Sequence, residues 1–101
     1  MSASSEAGRP EARAETPSGV RLSVVLPADL HARPAGAVAR RAAGLPGGVY
    51  VEAAGRSADA ASVLALMALG ARAGETVHVR AEGAGAEAAA AAVAELLAAA
   101  E

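Results

Sequence analysis

The sequence predicts an α+β domain, an open-faced β-sandwich in which a four-stranded, largely antiparallel sheet carries three helices on one face. Three observations lead there. Val20, Leu22 and Val24, and again Val77 and Val79, alternate with polar residues at the period of half-buried strands, whereas Ala35 to Ala42 and Ala86 to Ala100 repeat apolar residues at helical spacing. The connections are short and rich in Gly and Pro, with Ala54-Gly55 reversing the chain between two strands. The resulting order, strand, helix, strand, strand, helix, strand, helix, suits one layer of strands covered by helices.

Residues 1–19, MSASSEAGRPEARAETPSG, hold hardly any large apolar side chain, and the expectation is a disordered N-terminal tail before a domain spanning residues 20–101. VRLSVVLP opens the domain as a strand that stops at Pro27. A first helix follows, with Ala35, Val38, Ala39 and Ala42 on one stripe, Arg40 and Arg41 off it, and Gly44 at its end. LPGG turns the chain into VYVEA, the second strand, and Arg56 to Asp59 form the third. Ser62 stands in N-cap position for a short helix that stops at Gly70, with Val63, Leu66, Met67 and Leu69 mostly on one side. TVHVRAE is the fourth strand. The alanine-rich third helix turns Ala89, Val93, Leu96, Leu97 and Ala100 to the core.

With 101 residues, 53% of them hydrophobic, the chain suffices for one core, but a light one, since Tyr50 is its sole aromatic residue. A formal charge of −2 and the lack of stacking aromatics argue against nucleic acid as a partner. The absence of cysteine excludes disulfides and thiolate metal sites. No run approaches the roughly 18 strongly apolar residues of a membrane span, so no membrane insertion is expected and a soluble cytoplasmic protein is the default.

The chemistry concentrates in LHARPAG, Leu30 to Gly36. At a helix start the first backbone N–H groups lack intrahelical partners and the dipole is positive, which suits an anion such as phosphate. The same field favours a neutral imidazole at His31, whose lone pair is nucleophilic. Arg33 supplies a planar, permanently charged fork for phosphoryl oxygens, and Pro34 fits a first turn where its missing N–H costs nothing. On spacing alone, His31 reads equally well as an exposed helix-start residue and Arg33 as a solvated charge. His78 alternates with core valines and faces solvent; no second ligand at suitable spacing gives it a metal. GARAGET lacks the lysine and spacing of a phosphate loop.

LHARPA and GRSADAASVLALMALGARAGETVHV together closely resemble the two signatures of the HPr family, the histidine-containing phosphocarriers of the bacterial phosphoenolpyruvate-dependent sugar phosphotransferase system. The resemblance runs from about Arg21 to the C-terminus, and the separation of His31 from Ser62 needs no insertion or deletion. It implies His31 as the residue phosphorylated, through Nδ1, Arg33 as its phosphate partner and Ser62 as a regulatory serine. It also implies a cytoplasmic monomer without a cofactor that takes phosphate from phosphorylated Enzyme I and passes it to Enzyme II A domains. A carrier of this kind is not a turnover catalyst on its own.

Val63, Leu64 and Met67 match positions of the family's docking patch, although Val63 and Leu66 suit the core equally well. Arg40 and Arg41 fit an acidic partner surface or a solvated helix face. Two departures stand out. Ala28 and Asp29 stand where a small or polar residue and then glycine usually precede the Leu-His pair, and the charge of Asp29 near the phosphate leaves two alternatives, slower acceptance or a raised histidine pKa. The segment before the first strand is also longer than usual. An alternative function of another class is a regulatory module that signals by binding an HPr kinase/phosphorylase or a transcription regulator according to phosphorylation of His31 or Ser62.

Overall fold

The computed structural model describes residues 13–16 and 19–101. In chain order these form β1 (Arg13–Thr16), β2 (Gly19–Val25), α1 (Ala32–Ala43), β3 (Val49–Ala53), β4 (Arg56–Asp59), α2 (Val63–Ala68), β5 (Thr76–Glu82) and α3 (Ala86–Ala98). Strands β2, β5, β3 and β4 pair antiparallel in that spatial order, which is the four-stranded open sheet expected.

A fifth strand joins at the β2 edge. Residues 13–16, which composition assigns to a disordered tail, form β1, pairing Arg13 with Leu22 and Thr16 with Gly19. Composition misses this strand because edge pairing uses backbone groups and requires no apolar side chain. The position of Thr16 before Pro17 also biases it towards extended backbone. The rest of the predicted tail, apart from Gly19 in β2, lies outside the described residues.

Alternation decides the two faces of the sheet. Val20, Val24, Val51, Val77, Val79 and Ala81 are buried, and they meet Ala35, Val38, Leu66, Val93 and Leu97 from the helices. Small side chains permit this close packing of helices on strands, and the core needs no aromatic ring. Leu22 and Leu96 pack against its margin. The β3–β4 turn places both Ala54 (φ 51°) and Gly55 (φ 77°) in the left-handed region, the backbone of a tight hairpin; an alanine tolerates it less well than a glycine.

The other sheet face is uncovered and carries an ionic ladder. Arg21 and Arg80 donate to the two oxygens of Glu52 at 3.1 and 2.9 Å, Arg80 also pairs with Glu82, and its guanidinium lies 4.5 Å from the Tyr50 ring centre. Partial burial works to raise the Glu52 pKa, but the hydrogen bonds and charges of Arg80 and Arg21 outweigh it and hold the carboxyl below its ordinary value. His78, half-buried, lies between Ser23 and Glu52 in the register of this face.

Candidate functional site: the N-terminus of the first helix

Leu30 is buried and donates its backbone N–H to Ala71 O at 2.9 Å, which anchors the chain just before α1. His31 is the N-cap, in extended conformation, and its carbonyl accepts the first helical bond from Ala35 at 3.0 Å. Its imidazole makes no capping bond. Pro34 lies in the first turn and is buried together with Ala35, Val38, Ala39 and Ala42, the stripe expected to face the core.

Among the described residues the exposed ring of His31 has one polar contact, from Nε2 to the backbone oxygen of Glu101 at 3.1 Å. That oxygen only accepts, so the hydrogen bond forms when Nε2 carries the proton. The lone pair of the neutral ring then resides on Nδ1. Nothing in the local motif announces this contact, because Glu101 lies 70 residues further along the chain, beyond α3.

Two shallow hollows flank the helix start. One is lined by His31 and Leu30 together with Asp29, Met67, Ala71 and Arg72; the other by Arg33, Pro34 and Ala37 with Leu96, Ala99 and Glu101. Arg33 follows His31 closely in the chain, yet it lines the second hollow and His31 the first, while the His31 ring reaches Glu101, which lines the second. Among the described residues neither Arg33 nor Arg72 has a carboxylate partner.

Asp29 shares the hollow of His31, and its Oδ1 accepts the backbone N–H of Ala73 at 2.8 Å. The residue that departs from the family pattern thus ties the loop before His31 to the loop before β5. Three backbone bonds, Leu26 to Glu75, Gly74 to Leu26 and Leu30 to Ala71, complete the same seam.

The second helix packs against α1 and presents the other predicted residues. Ser62 is its N-cap as expected, with Oγ accepting from the Ala65 N–H at 3.1 Å. Leu66 is buried, whereas Val63, Leu64 and Met67 are 36%, 80% and 40% exposed, and Met67 reaches the hollow of His31. The alternatives left open for Val63 and Leu66 are thereby resolved, one to the surface and one to the core. Arg40 and Arg41 belong to the last turn of α1, where they complement the helix dipole. The Arg40 side chain runs back towards Gly36, its guanidinium 3.4 Å from the point a Cβ there would occupy.

His78 lines a separate hollow on the uncovered sheet face, with Arg21, Glu52, Arg56 and Ser57. Among the described residues, no group of three His, Cys, Asp or Glu side chains could hold a metal, and no helix is long and apolar enough to cross a membrane.

The family model described as the PTS HPr component phosphorylation site matches residues 20–99. The chain is 41% identical over 61 residues to a multiphosphoryl transfer protein of Xanthomonas campestris pv. campestris, a match covering 60% of this chain and 7% of that much longer protein. Among solved structures it is similar to a phosphocarrier protein HPr from Bacillus anthracis str. Ames, with a TM-score of 0.72 and 28% identity over 78% of this chain and 96% of that one. It is also similar to HPr-C-His from Thermoanaerobacter tengcongensis, with a TM-score of 0.69 and 29% identity over 82% and 97% of the two chains. Because the family model spans the sheet from β2 onward, all three helices and the helix start at His31, the chain belongs to the HPr phosphocarrier family of the phosphotransferase system.

Proposed function

We propose that this chain accepts a phosphoryl group on His31 Nδ1 from phosphorylated Enzyme I and passes it to Enzyme II A domains in phosphoenolpyruvate-dependent sugar uptake, in the cytoplasm. The observation that carries this reading is the hydrogen bond from His31 Nε2 to Glu101 O, since it leaves the Nδ1 lone pair free on an exposed ring. In the transfer that lone pair forms the P–N bond, the donor's bond to phosphorus breaks, and its electron pair stays with the donor. Passing the group on reverses these roles.

Arg33 supports the phosphoryl oxygens in this reading, and the first N–H groups of α1 favour the negative charge gained at the helix start. Val63, Leu64 and Met67 form an apolar docking patch beside the site, and Arg40 meets an acidic partner further along α1. Residues 20–101 constitute the carrier domain, to which β1 adds an edge strand.

Incubation with phosphoenolpyruvate and Enzyme I, followed by intact mass, tests the proposal. The expected result is one added phosphoryl group, lost in acid, kept in base and absent from His31→Ala. An acid-stable, base-labile adduct, or none, would contradict it.

A second reading rests on the place of Ser62, the cap that immediately precedes exposed Val63 and Leu64. Phosphate added there by a kinase such as HPr kinase/phosphorylase would bring a charge of about −1.5 to −2 to the edge of the docking patch. The chain would then act as a regulatory module whose binding to partners, a transcription regulator among them, follows the phosphorylation of Ser62 or His31.

A further inference from the structure

We propose that Arg72 is a phosphate-binding residue, a second guanidinium that contacts the phosphoryl group on His31, an inference that rests on the reading of His31 as the acceptor. His31 and Arg72 line one hollow, while Arg33 lines the other together with Glu101, whose backbone oxygen the His31 ring reaches. A phosphoryl group on His31 thus borders a hollow that Arg72 also lines.

The backbone around Arg72 is held in place relative to that space. Its own N–H donates to Glu75 Oε1 at 2.9 Å, the carbonyl of Ala71 receives Leu30 N–H at 2.9 Å, and the N–H of Ala73 donates to Asp29 Oδ1 at 2.8 Å. Both acids of this seam, Glu75 and Asp29, thus accept from backbone N–H groups. The guanidinium forms no ion pair among the described residues and is exposed.

Charge balance gives such a group a task. A phosphoryl group of roughly −1.5 to −2 charge on His31 shares its hollow with the Asp29 carboxylate, and the repulsion between them requires a cation on that side. A guanidinium supplies the charge and a planar fork of donors for the phosphoryl oxygens.

The test uses the full chain and potassium phosphoramidate, which needs no partner protein. The Nδ1 lone pair of His31 bonds to phosphorus while the P–N bond of phosphoramidate breaks, and the departing nitrogen takes up protons to leave as ammonia. The readout is the pH titration of the phosphohistidine ³¹P signal in the unmodified chain, Arg72→Ala and Arg72→Lys.

Arg72→Ala is expected to move that titration to higher pH, because a nearby cation favouring the deprotonated form is gone, and Arg72→Lys to restore part of the shift. At saturating Enzyme I, Arg72→Ala should also slow acceptance about 3- to 10-fold with KM unchanged, a range set by one exposed charge-assisted contact. Coincident titrations, or an effect confined to KM, would overturn the assignment of Arg72 and leave His31 as the acceptor. Failure of phosphoramidate to modify His31 would overturn both.

Discussion

The two exposed polar regions of this protein treat their charges in opposite ways. On the uncovered sheet face Arg21 and Arg80 share Glu52, Arg80 adds Glu82 and lies over Tyr50, so each cation in the ladder is matched by an anion or a ring. At the start of α1, Arg33 and Arg72 border the space around His31 with no carboxylate partner among the described residues. Paired surface charges contribute modestly to stability and attract little. Cations left unpaired around an exposed nucleophile form a site that an incoming anion completes.

The sharpest way to break this comparison is to remove one group from each region. His31→Ala should abolish phosphorylation by Enzyme I while thermal unfolding changes little, since the ring makes no capping bond and its hydrogen bond to Glu101 is exposed. Arg33→Ala should slow transfer without preventing it, by at most the roughly 10²–10³-fold that one lost oxyanion donor costs. The matched control, Arg21→Ala on the sheet face, should leave transfer rates as they are, which stopped-flow or quench kinetics would show. Equal losses in the two variants would erase the distinction between the regions.

Smaller effects separate stability from docking at Ser62. Ser62→Ala removes the cap on α2 and should cost about 0.5–2 kcal/mol in denaturant unfolding while transferring phosphate almost normally. Ser62→Asp should raise the KM for Enzyme I, through charge placed beside Val63 and Leu64, and leave the maximal rate alone. An unchanged KM would reduce Ser62 to a helix cap.

The smallest effect belongs to the sheet face. Because Glu52 is held below its ordinary pKa of 4.5 in the folded chain, its contribution to stability is present above that value and is lost as pH falls through the lower, folded pKa. Glu52→Gln should therefore flatten the fall of Tm between about pH 5 and pH 3, with transfer at neutral pH untouched. A Tm profile as steep as that of the unmodified chain would assign the acid sensitivity elsewhere.

What could be read in the sequence follows the range of the interactions involved. Val77 and Val79 alternate with His78 and Arg80 because β5 has one covered face, and Ser62 announces α2 because a cap acts within three residues. The two alternatives for Val63 and Leu66 needed the tertiary structure, since α2 is only six residues long and its stripe is too short to give a direction. β1 escaped composition because its pairing is carried by the backbone of a neighbouring strand. At the site, His31, Arg33 and Pro34 share one motif, but Glu101 and Arg72 reach the same place through α3 and the loop before β5, and local spacing holds no signal for either.

The central claim is that an exposed His31, tied through Nε2, accepts phosphate on its other nitrogen. Its most direct test is ³¹P–¹⁵N correlation on the ¹⁵N-histidine-labelled chain after phosphorylation by Enzyme I and phosphoenolpyruvate. The account predicts phosphorus coupled to Nδ1 of His31; coupling to Nε2, or a signal from His78 or a serine, would contradict it.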